Sequence, residues 1–530
     1  MFRRIGGWII LSLEVLTLTA LILASRCANY HDVFVGDSIY FIDADCYARM
    51  TRVRLCARQP GLIVRHHDFE NFPAGTDPHT TAPLDYLIVG LALFLKPFLS
   101  RPIDVAGAWI SPVLAMLAGW FLWWWSRKMK IPWRWSALIL FAISPILVHG
   151  TELGRPDHQS LIIVLVLVAI CAEWSLQTAP LPSWSAVSGI AWGLALWVSA
   201  YEPLILLLLA LLGGLLQSRR IVIGAHRRTG WICLAVVLLF AFAVERRLPA
   251  FSVAGLGAFF HRWAGTIGEL SPVPPFNPIW FRWTGYTIVL APILIFLSLI
   301  RNRRDPTAGT GNVSLPIFLA GIVMATYGLT IWQARWGYFF VLAYAIALPV
   351  LLGALPLRFL GWTVFVVSLF PILRDWDDKL WPNEQEVARR LENRHEAVEL
   401  RELALNLLSS RQEPFLAPWW LSPSIAYWSG QPGVAGSSHE SLPGIIDSAR
   451  FFMATNSVAA RQILERHGVC WVLAYDADRV EKNSAELLKI GVQNQTLCRI
   501  LDRRAAQTPP FLVFSAQNGT GKLFRVANNR

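Results

Sequence analysis

Five short stretches of this sequence bring together residue types that can do chemistry. Asp43-Ala44-Asp45 opens the basic stretch FIDADCYARMTRVR, where an aspartate either caps a helix through its backbone N–H groups or is held there for a reaction. Gly154-Arg155-Pro156-Asp157-His158-Gln159 sets a guanidinium, a carboxylate, an imidazole and an amide at the mouth of an apolar run. Charged groups beside hydrocarbon are costly and are often kept for function. Thr266-Ile267-Gly268-Glu269 has the spacing of a capping box, which is its plain structural reading. Arg335, in WQARWGYFF, reads either as an anchor snorkelling beside Trp332, Trp336 and Tyr338 or as a planar fork for phosphate. Trp419-Trp420, far along the chain, reads on its own as core packing.

The elements that carry these residues are mostly apolar. Of 530 residues, 55% are hydrophobic and 15% charged, with a mean hydropathy of +0.45 and 25 tryptophans. A soluble chain this apolar could not cover its surface, and indole rings favour the membrane–water interface. The sequence therefore predicts a multi-pass α-helical membrane domain over 1–371, with about 11–13 transmembrane helices. Candidate spans cover 5–25, 103–125, 135–151, 159–176, 184–200, 202–218, 231–247, 284–300, 314–331, 337–355 and 359–371. The net charge of +12 comes from short basic clusters between apolar runs, so it reads as topology and not as nucleic-acid binding. Those clusters are Arg3–Arg4, 126–134, 218–228 and 301–304. All four fall on one side if Pro83–Leu99 lies at the interface, and this orientation places the first loop 26–102, the loop around Gly154–Gln159, the loop 248–283, the Gln333–Arg335 tip and everything after 371 outside the cytoplasm. Residues 372–530, with a charged helix near 384–411 and β-like runs at Cys470–Ala474 and Phe511–Phe514, read as an external α/β domain. The seven cysteines lack CxxC pairs and indicate no zinc site; Cys46 with Cys56, or Cys470 with Cys498, are open as disulfides. His66, His67, Asp68, Asp77 and His79 read chiefly as a solvated polar loop, with metal ligation as the other reading, and Glu202 reads as structural.

Taken in order, side and spacing, these residues resemble the catalytic subunit of oligosaccharyltransferase and its bacterial and archaeal relatives, within the GT-C class of glycosyltransferases. The resemblance covers the whole architecture. It implies that Asp45 is the first-loop aspartate that binds metal and orients the acceptor, and that Asp157 is the second-loop metal ligand. His158 follows Asp157 as in the family motif, and Gln159 stands where the family usually carries an acidic residue or histidine. Glu269 closes a TIxE motif, whose glutamate helps hold the acceptor and the metal site. Arg335, with Arg155 nearby in sequence, matches the arginine contacts to the lipid-linked phosphate. Trp419-Trp420 matches the start of the acceptor-binding WWDYG motif, with Leu421 in place of its aspartate.

The implied cofactor is Mg²⁺ or Mn²⁺, which prefer oxygen donors and act as Lewis acids on a departing phosphate. The implied activity is transfer of a sugar or oligosaccharide from a polyprenyl-(di)phosphate carrier to a protein, lipid or glycan acceptor outside the inner membrane. Asp45 and Glu269 are the expected catalytic carboxylates. A transporter or flippase with an external domain, and a structural envelope protein, are the readings of another class. A transporter should place ionisable groups at the midplane of its spans, whereas the residues above sit at span ends.

Overall fold

The structure is a computed structural model that describes residues 2–247, 257–304, 314–355, 357–491, 495–503 and 508–527. The opening of the expected loop 248–283, residues 248–256, lies outside the described residues. The chain divides into two compact units. One comprises Met1–Tyr30, Ala108–Arg247 and Glu269–Asn383; the other comprises His31–Gly107, Leu248–Gly268 and Glu384–Arg530.

The first unit is helical. Among the described residues, six helices are long and apolar enough to cross a membrane: Trp8–Arg26, Pro102–Lys128, His158–Thr178, Ala225–Glu245, Ala334–Gly353 and Phe359–Leu380. Shorter apolar helices include Arg134–Ile143, Tyr201–Gln217, Thr287–Ile300 and Ile317–Trp332. The expected spans coincide with these helices and with Pro182–Val198. The run 135–151 is broken, because Pro145 starts a separate helix Pro145–His149 after Ser144. Helix Gly337–Gly353 is buried from Gly337 to Leu352, with Arg134–Ile143, His158–Thr178 and Ile317–Trp332 packed on it. Helices Pro182–Val198 and Arg228–Glu245 meet through small residues. A Cβ on Gly189 would stand 2.0 Å from the Gly230 carbonyl oxygen, and Ser185 Oγ accepts the Gly230 N–H at 2.9 Å. Close backbone approach of this kind replaces the hydrophobic effect as the packing force between membrane helices. Charges inside the bundle are matched. Arg227 donates to both carboxylate oxygens of buried Glu173. Fully buried Arg26 donates to the Phe141 and Ala142 carbonyls and to Thr151.

The second unit contains a four-stranded sheet in the order Phe415–Leu416, Trp471–Ala474, Lys522–Val526, Leu512–Gln517. Its first pair is parallel and the others antiparallel. Two of these strands fall on the β-like runs read from sequence. Helix Glu384–Leu405 lies where the charged helix is expected, and its Leu400, Leu403 and Ala404 join the sheet's core. Pro83–Leu99 forms helix Ala82–Leu95 and belongs to this unit. Its Asp85 is buried and takes Arg49 at 2.8 Å and Arg52 at 3.1 Å, both from helix Ala44–Arg58. The charge that interrupts that apolar run is thus half of a buried ion-pair cluster. None of the seven cysteines is in a disulfide.

Candidate active site

In the membrane unit, the ends of four helices and the 3₁₀ turns Gly268–Leu270 and Ala334–Trp336 gather the ionisable groups. Asp157 is the N-cap of helix His158–Thr178: its Oδ1 accepts the His158 N–H at 2.6 Å and lies 2.6 Å from His158 Nδ1. The carboxylate thus caps the helix and also acts electrostatically on Glu269 and Arg335. Glu269 sits in the 3₁₀ turn Gly268–Leu270. The segment after it is tied to the corner that carries Arg335, because the Ala334 N–H donates to the Ser271 carbonyl at 2.8 Å and the Val273 N–H to the Ile331 carbonyl at 3.2 Å.

Glu269 does not serve as the acid of a capping box. Its Oε1 accepts the Tyr338 hydroxyl at 2.9 Å. Tyr338 Oη lies 2.7 Å from His149 Nδ1, and His149 Nε2 lies 3.1 Å from Arg155 Nη2. An arginine can only donate, so Nε2 must be the acceptor and the imidazole is neutral with its proton on Nδ1. The direction of every bond then follows: Arg155 donates to His149, His149 to Tyr338, and Tyr338 to Glu269. Arg155 is buried, with its Nε also reaching Glu152 Oε1 at 3.3 Å.

A second branch runs through Glu202. This carboxylate is wholly buried at the first turn of helix Tyr201–Gln217 and pairs with Arg335. Ser199 Oγ donates to it at 2.9 Å, and Gln159 Nε2 stands 3.5 Å away. Arg335 is neither a lone snorkelling anchor nor fully enclosed. Its side chain is 22% exposed, and its Nε is buried with no acceptor.

The electrostatics have a clear sign. Burial pushes the Glu269 carboxyl above its ordinary range, the negative charge of Asp157 pushes it further, and Arg335, Arg155 and the Tyr338 hydrogen bond pull it back. Gln159 Oε1 is buried with no hydrogen-bond donor on it. Two carboxylates that repel each other and a buried amide oxygen without a donor are oxygen groups of the kind that a hard divalent cation prefers.

The remaining expected residues lie in the second unit. Asp43 is the N-cap of helix Ala44–Arg58 and accepts the Cys46 N–H at 3.0 Å. That leaves Asp45, in the same first turn, exposed. Trp419 and Trp420 are partly buried and meet edge to face at 5.5 Å; Trp420 packs on the sheet's core and Trp419 on the cluster around Trp263 and Leu442. Glu202, Tyr338 and His149 are the members of the cluster that the sequence does not single out for a role. The available signals were faint: Glu202 is an acid at a helix junction, Tyr338 lies three residues after Arg335, and His149 lies six before Arg155.

No family model matches the chain, and no curated protein matches its sequence. Solved structures do match. The oligosaccharyltransferase AglB from Archaeoglobus fulgidus, in complex with an inhibitory peptide and a dolichol-phosphate, superposes with a TM-score of 0.63 at 16% identity, over 89% of this chain and 72% of that one. The A. fulgidus enzyme in complex with Zn and sulfate gives 0.62 at 15% identity, over 87% and 67%. ArnT from Cupriavidus metallidurans, bound to undecaprenyl phosphate, gives 0.54 at 12% identity and covers 98% of both chains. At these identities the likeness is one of fold, and the chain carries the GT-C fold that it shares with the archaeal oligosaccharyltransferase and ArnT structures.

Proposed function

We propose that this chain is a membrane glycosyltransferase that moves a sugar or oligosaccharide from a polyprenyl-(di)phosphate carrier to an acceptor on the extracytoplasmic side of the inner membrane. The observation that carries the reading is Arg335, held by buried Glu202 at the end of a span and coupled electrostatically to Asp157 and Glu269. A phosphate leaving group gains negative charge as the glycosidic bond breaks, and a guanidinium already oriented by a carboxylate meets that charge without reorganising. Arg335 is therefore assigned to the donor phosphate, with Arg155 supporting it by fixing the relay that ends on Glu269. The Tyr338 hydrogen bond aims the Glu269 carboxylate and opposes the burial that raises its pKa, so that it can accept a hydrogen bond from the acceptor group. A divalent cation held by Asp157, Glu269 and Gln159 would supply Lewis-acid stabilisation of the leaving phosphate. Asp45 is retained as the carboxylate that the resemblance assigns to the acceptor. The solved relatives are described with dolichol-phosphate and undecaprenyl phosphate, which supports a polyprenyl carrier here.

The acceptor reading that the residues favour is a lipid or glycan. Leu421 stands in place of an aspartate after Trp419-Trp420 and cannot accept a hydrogen bond from a hydroxyl side chain of a peptide. The test is deletion of the gene, with mass spectrometry of glycans on envelope proteins and on lipids. Loss from the lipid or polysaccharide pool alone is expected, and loss from proteins alone would reverse the acceptor assignment. Glu269→Ala or Asp45→Ala that keeps full transfer in membranes supplied with lipid-linked sugar would refute the catalytic roles.

A further inference from the structure

Within the second unit, a different set of ligands meets. His79 precedes helix Ala82–Leu95, and His439 and Glu440 lie in the 3₁₀ turn His439–Ser441. Among the described residues, these three form the one group of three or more His, Cys, Asp and Glu side chains whose ligand atoms all lie within 4.8 Å of one another. Glu440 Oε1 is 2.6 Å from both the backbone nitrogen and Nδ1 of His79. Glu440 Oε2 is 3.4 Å from His439 Nδ1, and it is buried with no hydrogen-bond donor on it. The two imidazole rings face each other at 5.1 Å, tilted by 36°.

We propose that His79, His439 and Glu440 bind one divalent ion of the zinc class, with a water molecule in the fourth position. Tetrahedral bonds of about 2.05 Å set neighbouring ligand atoms about 3.3 Å apart, which is the separation found between His439 Nδ1 and Glu440 Oε2. Two nitrogens and one carboxylate oxygen suit Zn²⁺ and its late transition-metal neighbours, whereas Mg²⁺ prefers oxygen alone. His79 is 38% exposed, which gives an ion a way in. The site shares no residue with the proposed transfer machinery, and its binding does not depend on that reading.

The consequence is a clamp. The loop ahead of His79 is already tied to the C-terminal part of the same unit by Asn71 Oδ1 with the Gly444 N–H at 3.0 Å, the Phe72 N–H with the Gly433 carbonyl at 3.1 Å, and Glu70 Oε1 with the Ser437 N–H at 3.0 Å. The ion would fasten the far end of that loop to the same part of the chain.

The test uses the full chain in detergent, stripped with a chelator and loaded with Zn²⁺, Co²⁺ or Mg²⁺. After desalting, the wild type should keep one more Zn²⁺ per chain than His439→Ala or His79→Ala, and Zn²⁺ should raise its melting temperature by more than it raises that of either variant. Co²⁺ should give the strong visible bands of a tetrahedral site in the wild type and in Asp157→Asn, and lose them in Glu440→Gln. That last comparison separates this site from the proposed transfer site. Equal Zn²⁺ retention in the wild type and both histidine variants would overturn the proposal. So would a wild type that yields no tetrahedral Co²⁺ spectrum, an outcome that needs no variant to fold.

Discussion

Replacing Tyr338 by Phe removes one oxygen and leaves the ring that stacks on His149. Two hydrogen bonds go with it, the neutral one from His149 Nδ1 at 2.7 Å and the charge-assisted one to Glu269 at 2.9 Å. A neutral bond is worth about 1 kcal/mol and one to a carboxylate about 1.5–3 kcal/mol. If the relay acts in the transition state, Tyr338→Phe should lower transfer by roughly 2–4 kcal/mol, or about 30- to 1,000-fold. The pH profile should move as well. Burial and Asp157 already push Glu269 up, and the Tyr338 hydrogen bond is one of the groups that pull it back. Without it the carboxylate protonates at a higher pH, so the acid limb of activity shifts upward. The assay is transfer from a polyprenyl-linked donor in proteoliposomes, measured across pH for Tyr338→Phe, Glu269→Gln and the double variant. Residues acting as one unit give non-additive losses. Wild-type rates and an unmoved acid limb in Tyr338→Phe would refute the relay, as would strictly additive losses in the double variant.

Glu202→Leu leaves the Arg335 guanidinium without its buried partner. It should destabilise the protein by about 3–5 kcal/mol, seen as a lower melting temperature in detergent, and weaken donor binding, whereas Glu202→Gln should lose less of both. Gly444→Ala sets a Cβ 1.8 Å from the Val434 carbonyl oxygen, so it should abolish stable folding or expose the second unit to protease at temperatures the wild type tolerates. Glu70 is buried, and burial raises its pKa from 4.5 to about 7. Between those values the folded chain holds a proton that the unfolded chain has released, so stability is full below about pH 4.5 and falls as pH rises through 7. Glu70→Gln keeps an acceptor for the Ser437 N–H and should flatten that decline in chemical denaturation, by on the order of 3 kcal/mol at pH 8.

The spans were legible because an apolar run long enough to cross a bilayer has few other uses. Asp157 and Arg335 stood out as charges set against such runs. Glu202 did not, because nothing near it in sequence reveals that its partner is Arg335, far along the chain; an acid at a helix junction looks the same whether it caps a helix or holds a guanidinium. Thr266-x-x-Glu269 shows the opposite error. Its spacing matches a capping box, yet tertiary contact gives the carboxylate to Tyr338 and leaves the Thr266 hydroxyl to the Trp263 carbonyl. The first loop was half legible. His66 and Asp77 are exposed as a polar loop should be, but His67, Glu70 and Asn71 are buried: Ser437 and Gly444 partner Glu70 and Asn71, and Thr76 of the same loop partners His67. The ambiguity of Pro83–Leu99 arose from Asp85, whose two arginines lie one helix earlier.

Helix Gly337–Gly353 is sheathed by protein along nearly its whole length. A rod with no lipid-facing stripe cannot respond to the thickness of the surrounding bilayer, which acts on the outer helices through tilt and stretch. Tyr338 rides at the start of that rod, so its height is set by neighbouring side chains and not by acyl-chain length. Reconstitution in short- or long-chain lipids should therefore leave the Tyr338–Glu269 register undisturbed while the peripheral helices adjust around it.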